Sequence, residues 1–299
     1  MPNADRVWYE LHFLVPREWE EIVSTWLVEY TARGVACFPQ GALTEVVAYC
    51  AAASETDTLR TLICGRWEQF CAADGLRVPL QVHADSVSEQ DWAESWKAHF
   101  HATRVGRRLV VKPSWEQWPP PDQPEVARPD DLLLEIDPQM AFGTGLHATT
   151  QLCLEALERH LRPQERVADV GTGSGILAIA AVRLGAREVE AWEMDPVAVP
   201  VAAENLQRNA VSEVCILREG DALEGLSGVF DLLLANVHTA FLLQIIPRLP
   251  GLLTPEGRAI LSGTTETSAQ TVTEALAAAG LELVEKRSRG EWLALIARR

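Results

Sequence analysis

The sequence predicts an α/β chain in two parts: a smaller α+β domain, then a doubly wound, mostly parallel seven-stranded sheet. Three observations carry this. From about residue 132 onward, strand-like and helical runs alternate, an order that lays strands parallel and covers both sheet faces with helices. Residues 281–288 and 291–297 flank Arg289-Gly290 as a hairpin, adding an antiparallel pair at the end. Residues 7–83 read in the order βαββαβ, the ferredoxin-like arrangement. The expected boundaries are 1–84 for the first domain, 85–101 for a helical linker and 102–299 for the larger domain.

Residues 7–15 alternate as a strand, and Trp19, Ile22, Val23, Trp26, Leu27 and Tyr30 give residues 17–33 helical spacing, ended by Gly34. Strands at 35–38 and 44–51 follow, separated by the turn-forming Pro39-Gln40-Gly41. A helix at 56–73 and a strand at 77–83 complete the unit. Residues 86–101 open with Ser88-x-x-Asp91 and carry Trp92, Trp96 and Phe100 one helical turn apart, which predicts the helical linker. Five prolines between 115 and 129 mark a loop. Beyond it, strands are expected at 166–170, 189–193, 214–219, 230–235 and 258–262, with helices at 176–184, 196–209, 239–249 and 267–279.

Of the 299 residues, 47% are hydrophobic and 23% charged, an ordinary globular composition. Apolar runs such as Ile176 to Val182 fall far short of the ~18 residues of a membrane span. With no basic, apolar leader at the N-terminus, a cytoplasmic chain is expected, with no membrane partner. The net charge of −16 repels phosphate backbones, so direct nucleic-acid binding is not expected. The same charge either steers a basic protein partner to the surface or only keeps the chain in solution. The six cysteines show no C-x-x-C pair, and His99 and His101 are the only close histidines, so neither disulfides nor a metal site is expected.

The chemistry-bearing motifs begin with Asp169-Val-Gly171-Thr-Gly173-Ser-Gly175, which ends a strand and opens a helix. Glycines there let the backbone approach a ligand at the carboxyl edge of the sheet. The dinucleotide pattern G-x-G-x-x-G fails, because Ile176 stands where the third glycine belongs. Asp169 would repel a pyrophosphate but attract the ammonium of a methionine-like group, which points to S-adenosylmethionine. Glu193 ends the next strand, where a carboxylate grips both hydroxyls of a ribose, and Asp195 before Pro196 suits a helix cap. Asp221 either meets an adenine amino group or is a solvated loop acid. Asn236 ends the fourth strand and either accepts a hydrogen bond from an incoming amine or caps the following helix. Between 137 and 150, two glycines, Phe142, His147, Thr149 and Thr150 precede a helix, a composition that suggests a site loop.

Taken together, the segment Met140 to Thr150, the glycine turn from Asp169, Glu193-Met-Asp-Pro196, Ala235-Asn236 and Leu261-Ser-Gly263 resemble, in order, the motifs of bacterial ribosomal protein L11 methyltransferases. Asp91 to Lys97 and Val111 to Trp115 are also similar to that family, and the resemblance runs from about 88 to 299. It implies a class I fold, S-adenosylmethionine as cofactor, Thr150, Gly171, Glu193 and Asn236 as cofactor contacts, and Phe142 with His147 lining the acceptor site. It also implies methylation of lysine ε-amines and an α-amine of protein L11, a substrate-recognising N-terminal domain, and a monomer. Gly173, Gly175, Asp169 and Asp221 complete the expected cofactor set, and His147 is a candidate for proton transfer. Other readings stay open: N-methylation of a small amine or a glutamine amide, a nicotinamide oxidoreductase, or a non-catalytic binding module.

Overall fold

The computed structural model describes the chain except residues 1–6, 32–34, 51, 74–77, 79, 89–99, 138–144 and 146. It divides into two compact units, Met1–His99 and Phe100–Arg299.

In the first unit, β1 (Val7–Pro16), β2 (Val35–Gln40), β3 (Leu43–Cys50) and β4 (Gln81–Ser88) form an antiparallel sheet in the order β2-β3-β1-β4. The helices α1 (Glu20–Thr31) and α2 (Ala53–Ala73) supply the rest of the βαββαβ order. Strand alternation sends Leu11, Phe13 and Val15 of β1 and Val46, Ala48 and Cys50 of β3 into one core. There they meet Val23, Trp26 and Leu27 of α1 and Leu59, Ile63 and Trp67 of α2. Two expectations shift. Pro39 and Gln40 belong to β2, which tolerates proline because it is an edge strand, and the turn falls at Gly41 and Ala42. The last strand runs Gln81–Ser88 and not 77–83, because β1 templates its register from Leu14↔Gln81 to Val7↔Ser88. That pairing takes residues 86–88 out of the expected linker helix, whose remainder, with Trp92 and Trp96, lies outside the described residues up to Phe100.

The second unit opens with a small sheet, β5 (Thr103–Val105), β6 (Leu109–Lys112) and β7 (Leu132–Glu135), in that order. Its main sheet contains β8 (Arg166–Val170), β9 (Glu188–Glu193), β10 (Cys215–Glu219), β11 (Phe230–Asn236), β12 (Leu253–Thr265), β13 (Glu282–Arg289) and β14 (Trp292–Arg298). Their order is β10-β9-β8-β11-β12-β14-β13, with only β14 and β13 antiparallel to their neighbours. This is the expected doubly wound seven-stranded sheet with its closing hairpin. The helices α3 (Ala148–His160), α4 (Ile176–Arg183) and α5 (Ala198–Arg208) line one side. On the other, α6 (Ala222–Gly225), α7 (Thr239–Ile245), α8 (Leu249–Leu252) and α9 (Ala269–Ala278) bury Leu242, Ile245, Val272 and Leu276 against Val170, Leu233, Ala235 and Leu261. The central strands β8, β11 and β12 are largely apolar and buried on both faces, as a parallel sheet covered twice requires, whereas the edge strands β10 and β13 carry exposed charges. No helix among the described residues is long and apolar enough to cross a membrane.

Candidate active site

Of the predicted residues, Asp169, Gly171, Glu193 and Asn236 lie at the carboxyl ends of β8, β9 and β11, where the strand order reverses and doubly wound sheets bind small molecules. After β8 the chain turns at Gly171, and the amides of Gly171 and Thr172 both donate to the Trp192 carbonyl at 2.9 Å, fastening the turn to the end of β9. Gly171 has a φ of +70°, and a Cβ there would stand 2.5 Å from Cγ1 of Val237. Gly263, at +83°, would bring a Cβ within 2.2 Å of the Val237 carbonyl oxygen. One glycine in the turn after β8 and one at the irregularity within β12 thus leave the room that Val237 occupies just beyond Asn236.

Asn236 is half-buried, with Nδ2 donating to the Thr150 hydroxyl at 3.4 Å and Oδ1 buried without a hydrogen-bond partner. Thr150 is fully buried on α3. The cap of the helix after β11 is His238, whose Nδ1 accepts from the Phe241 amide at 3.2 Å, so the capping alternative for Asn236 is removed.

Glu193 is buried and already holds three backbone amides. Oε1 accepts from Met194 and Asp195 at 2.9 Å each, and Oε2 accepts from Gly173 at 2.8 Å. A carboxylate has about four acceptor sites. One, on Oε2, remains, which suits a single ribose hydroxyl and not the two-pronged grip expected from sequence. Met194, beside it, is 63% exposed and offers an apolar face.

Asp169 is 1% exposed; Oδ2 accepts from the Thr172 hydroxyl at 2.6 Å, and Oδ1 has no hydrogen-bond partner. Burial pushes its pKa up to about 7 against the pull of the Thr172 hydroxyl and the Ala178 amide, and the charge of Glu193 adds to the rise. Asp221 caps α6, its Oδ1 accepting from the Leu223 amide at 2.8 Å. Asp195 accepts the Val197 amide on Oδ1 at 2.8 Å and so closes the turn before α5, but the helix begins at Ala198 with Val197 at the N-cap, not at 196 with Asp195 as its cap. His147 is the N-cap of α3. Its Nδ1 lies 3.3 Å from the Thr149 amide and 2.8 Å from the Thr149 hydroxyl, and its ring packs edge-on against Trp292 at 4.9 Å. Phe142 lies outside the described residues.

One residue the sequence reading passed over is Asn205. This asparagine, 1% exposed on α5, accepts the Asp137 amide on Oδ1 at 3.0 Å and donates Nδ2 to the carbonyls of Asp137 at 3.2 Å and Ser174 at 2.9 Å. One turn on, Asn209 repeats the pattern on the amide and carbonyl of Glu135, at 3.0 and 2.7 Å. Two side-chain amides therefore pair with alternate residues at the end of β7 and just beyond it, and Asn205 ties Asp137 to Ser174 of the glycine turn. The signal was the pair of asparagines at i and i+4 on one helix.

The site suits a cationic nucleoside. It offers two buried oxygens without partners, one spare carboxylate lone pair, and a glycine turn that a Cβ would obstruct.

Comparison with known proteins agrees. The profile of the ribosomal protein L11 methyltransferase family matches residues 7–299. A ribosomal protein L11 methyltransferase of Desulfitobacterium hafniense is 46% identical over 219 residues, 73% of this chain and 68% of that one. One from Pelobacter propionicus is 38% identical over 310 aligned positions, covering 98% and 97% of the two chains. The crystal structure of a ribosomal protein L11 methylase from Lactobacillus delbrueckii subsp. bulgaricus superimposes with a TM-score of 0.62 at 35% identity, over 67% of this chain and 99% of that one. The chain therefore belongs to the ribosomal protein L11 methyltransferase family of S-adenosylmethionine-dependent enzymes.

Proposed function

We propose that the chain methylates ribosomal protein L11 on lysine ε-amines and an α-amine, with Asn236 at the reacting end of the site. The observation that carries this reading is the buried, unpaired Oδ1 of Asn236 at the tip of β11. When bound, S-adenosylmethionine supplies an electrophilic methyl group. Glu193 accepts a ribose hydroxyl through the free site on Oε2, and the exposed Met194 faces the base. The turn Gly171 to Gly175 gives close backbone approach, and Asp169 steadies it through Thr172. Thr150 orients the Asn236 amide by holding Nδ2, which leaves Oδ1 to accept from the incoming amine. An amide oxygen aligns that nitrogen without competing as a nucleophile.

The acceptor must be neutral. For a lysine at pH 7 this costs about 4.6 kcal/mol, which a pocket poor in water and rich in buried side chains helps to offset. Phe142 and His147 belong to the acceptor side in this reading, with His147 acting as the cap that starts α3. Asp221 belongs to the cofactor side, near the base. The net charge of −16 supports a basic ribosomal protein as partner.

The test is incubation with radiolabelled S-adenosylmethionine and unmodified large-subunit ribosomal proteins, followed by mapping of the label. Label on lysines and an α-amine of L11 is expected. Label confined to another protein, to a glutamine amide or to a small amine overturns the reading.

A further inference from the structure

The four-stranded sheet of the first unit has a second face, opposite the one that packs on α1 and α2, and it concentrates metal-ligating side chains. His12 on β1 stands directly across from His83 on β4, and Glu10 across from Asp85. Glu45 of β3 shares that face, since it pairs with Leu14, two residues beyond His12. The two imidazole rings stack at 4.3 Å and 10°. Among the described residues, His12, His83 and Asp85 form a group of three whose ligand atoms all lie within 4.8 Å of one another.

The arrangement is organised for coordination. His12 Nδ1 lies 3.1 Å from Oε1 of Glu45, whose Oε2 accepts from Gln40 Nε2 at 2.9 Å. With its proton on Nδ1, His12 presents a bare Nε2, and that atom is buried without a hydrogen-bond partner. Around it stand Glu10 Oε2 at 3.4 Å and Asp85 Oδ2 at 3.9 Å, and the same Asp85 oxygen is 3.8 Å from His83 Nε2. A carboxylate on the far nitrogen is the outer-shell partner that fixes a metal-binding histidine. Carboxylates of Glu10, Glu45 and Asp85 surround the imidazole of His12, an anionic setting for a cation. Ligands about 2.0–2.1 Å from a tetrahedral zinc ion lie roughly 3.4 Å apart. Rotation of the exposed His83 ring out of its stack on His12, with a movement of the exposed Asp85 carboxylate, brings the set to that spacing with the ion in the plane of both rings.

We propose that His12, His83 and Asp85, with Glu10 as fourth ligand, bind a divalent ion of the zinc class, and that Glu45 orients His12 for it. Two imidazoles with carboxylates and no thiolate suit zinc, cobalt or nickel better than magnesium or calcium. The ion would clamp the edge strand β4 to β1. Sequence spacing gave no sign of it, because the ligands come from two strands far apart in the chain.

The test titrates the tag-free full-length chain with zinc chloride by calorimetry and with cobalt(II) by visible absorption. One equivalent of zinc, a saturable tetrahedral cobalt spectrum and a zinc-dependent rise in Tm are expected. His83→Ala and Asp85→Asn, both at exposed positions and checked for folding by circular dichroism, each weaken binding tenfold or more. Glu45→Gln weakens it about tenfold. An absence of saturable cobalt absorption, its persistence in the His83→Ala/Asp85→Asn double variant, or a spectrum dominated by thiolate charge transfer overturns the proposal.

Discussion

Asn205 holds Asp137 by both the amide and the carbonyl of its backbone, a peptide-to-amide pairing made by a side chain on a helix. Its third bond, to the Ser174 carbonyl, makes it the joint between the glycine turn and the strand that leads into the Phe142 segment. Asn205→Ala strands three backbone groups and is expected to cost about 2–4 kcal/mol of stability, read by urea denaturation. Asn205→Asp keeps the acceptor but sets a buried carboxylate oxygen against the carbonyls of Asp137 and Ser174, and should destabilise at least as much as the alanine variant. Both variants should weaken cofactor binding in calorimetry, since Ser174 is no longer held. Unchanged cofactor affinity in Asn205→Ala would reduce the residue to a structural prop.

Asn236 separates chemistry from binding. Replacing it by alanine removes the acceptor aimed at the incoming amine while leaving Glu193 and the glycine turn intact. Turnover is expected to fall about 10- to 100-fold, the equivalent of one strong hydrogen bond, with cofactor affinity changed less than about threefold. Single-turnover rates beside calorimetric Kd values make the comparison.

Asp169 gives a signed pH effect. Its carboxyl is held neutral in the fold up to about 7, whereas in the unfolded chain it ionises near the ordinary aspartate value of 3.8. Between those values the unfolded state binds fewer protons, so the contribution of Asp169 to stability declines as pH rises through that window and levels off above it. In Asp169→Asn that decline is absent. Urea midpoints of the wild type and the variant across pH should diverge in slope between about 4 and 7.

Gly171→Ala meets two penalties, the left-handed backbone, worth about 1–2 kcal/mol, and the approach to Val237. Pairing it with Val237→Ala removes Cγ1 and relieves only the second. The double variant should be less destabilised than the sum of the singles by about 1 kcal/mol, measured as a thermal-denaturation cycle. Strict additivity would show that the contact with Val237 is not felt.

The site was legible wherever the topology alone places a residue. In a parallel sheet the last residue of each strand lies at the binding edge, so Glu193 and Asn236 could be assigned from strand ends, and Gly171 from the turn between strand and helix. Side-chain detail was not legible. Nothing in the spacing shows that Glu193 spends three of its acceptor sites on backbone amides, or that Asp169 is turned into the protein with Thr172. The roles of Asn205 and Asn209 were not legible, because their partners, Asp137 and Ser174 for the first and Glu135 of β7 for the second, lie far from them in the chain. The register of β4 was misplaced for a related reason: β1 sets it from a distance, and local propensity over residues 77–88 does not contain that information.

In the main sheet, β13 is made before β14 but touches the rest of the sheet only through it, since β14 lies between β13 and β12. A nascent β13 therefore has no partner on the growing protein and must wait for the strand that follows. The two can zip together locally, in about 1–10 μs, and dock as a ready-made flap beside β12. Until that happens, β12 is an uncovered margin of a nearly finished sheet, and chaperone engagement during synthesis would fall there.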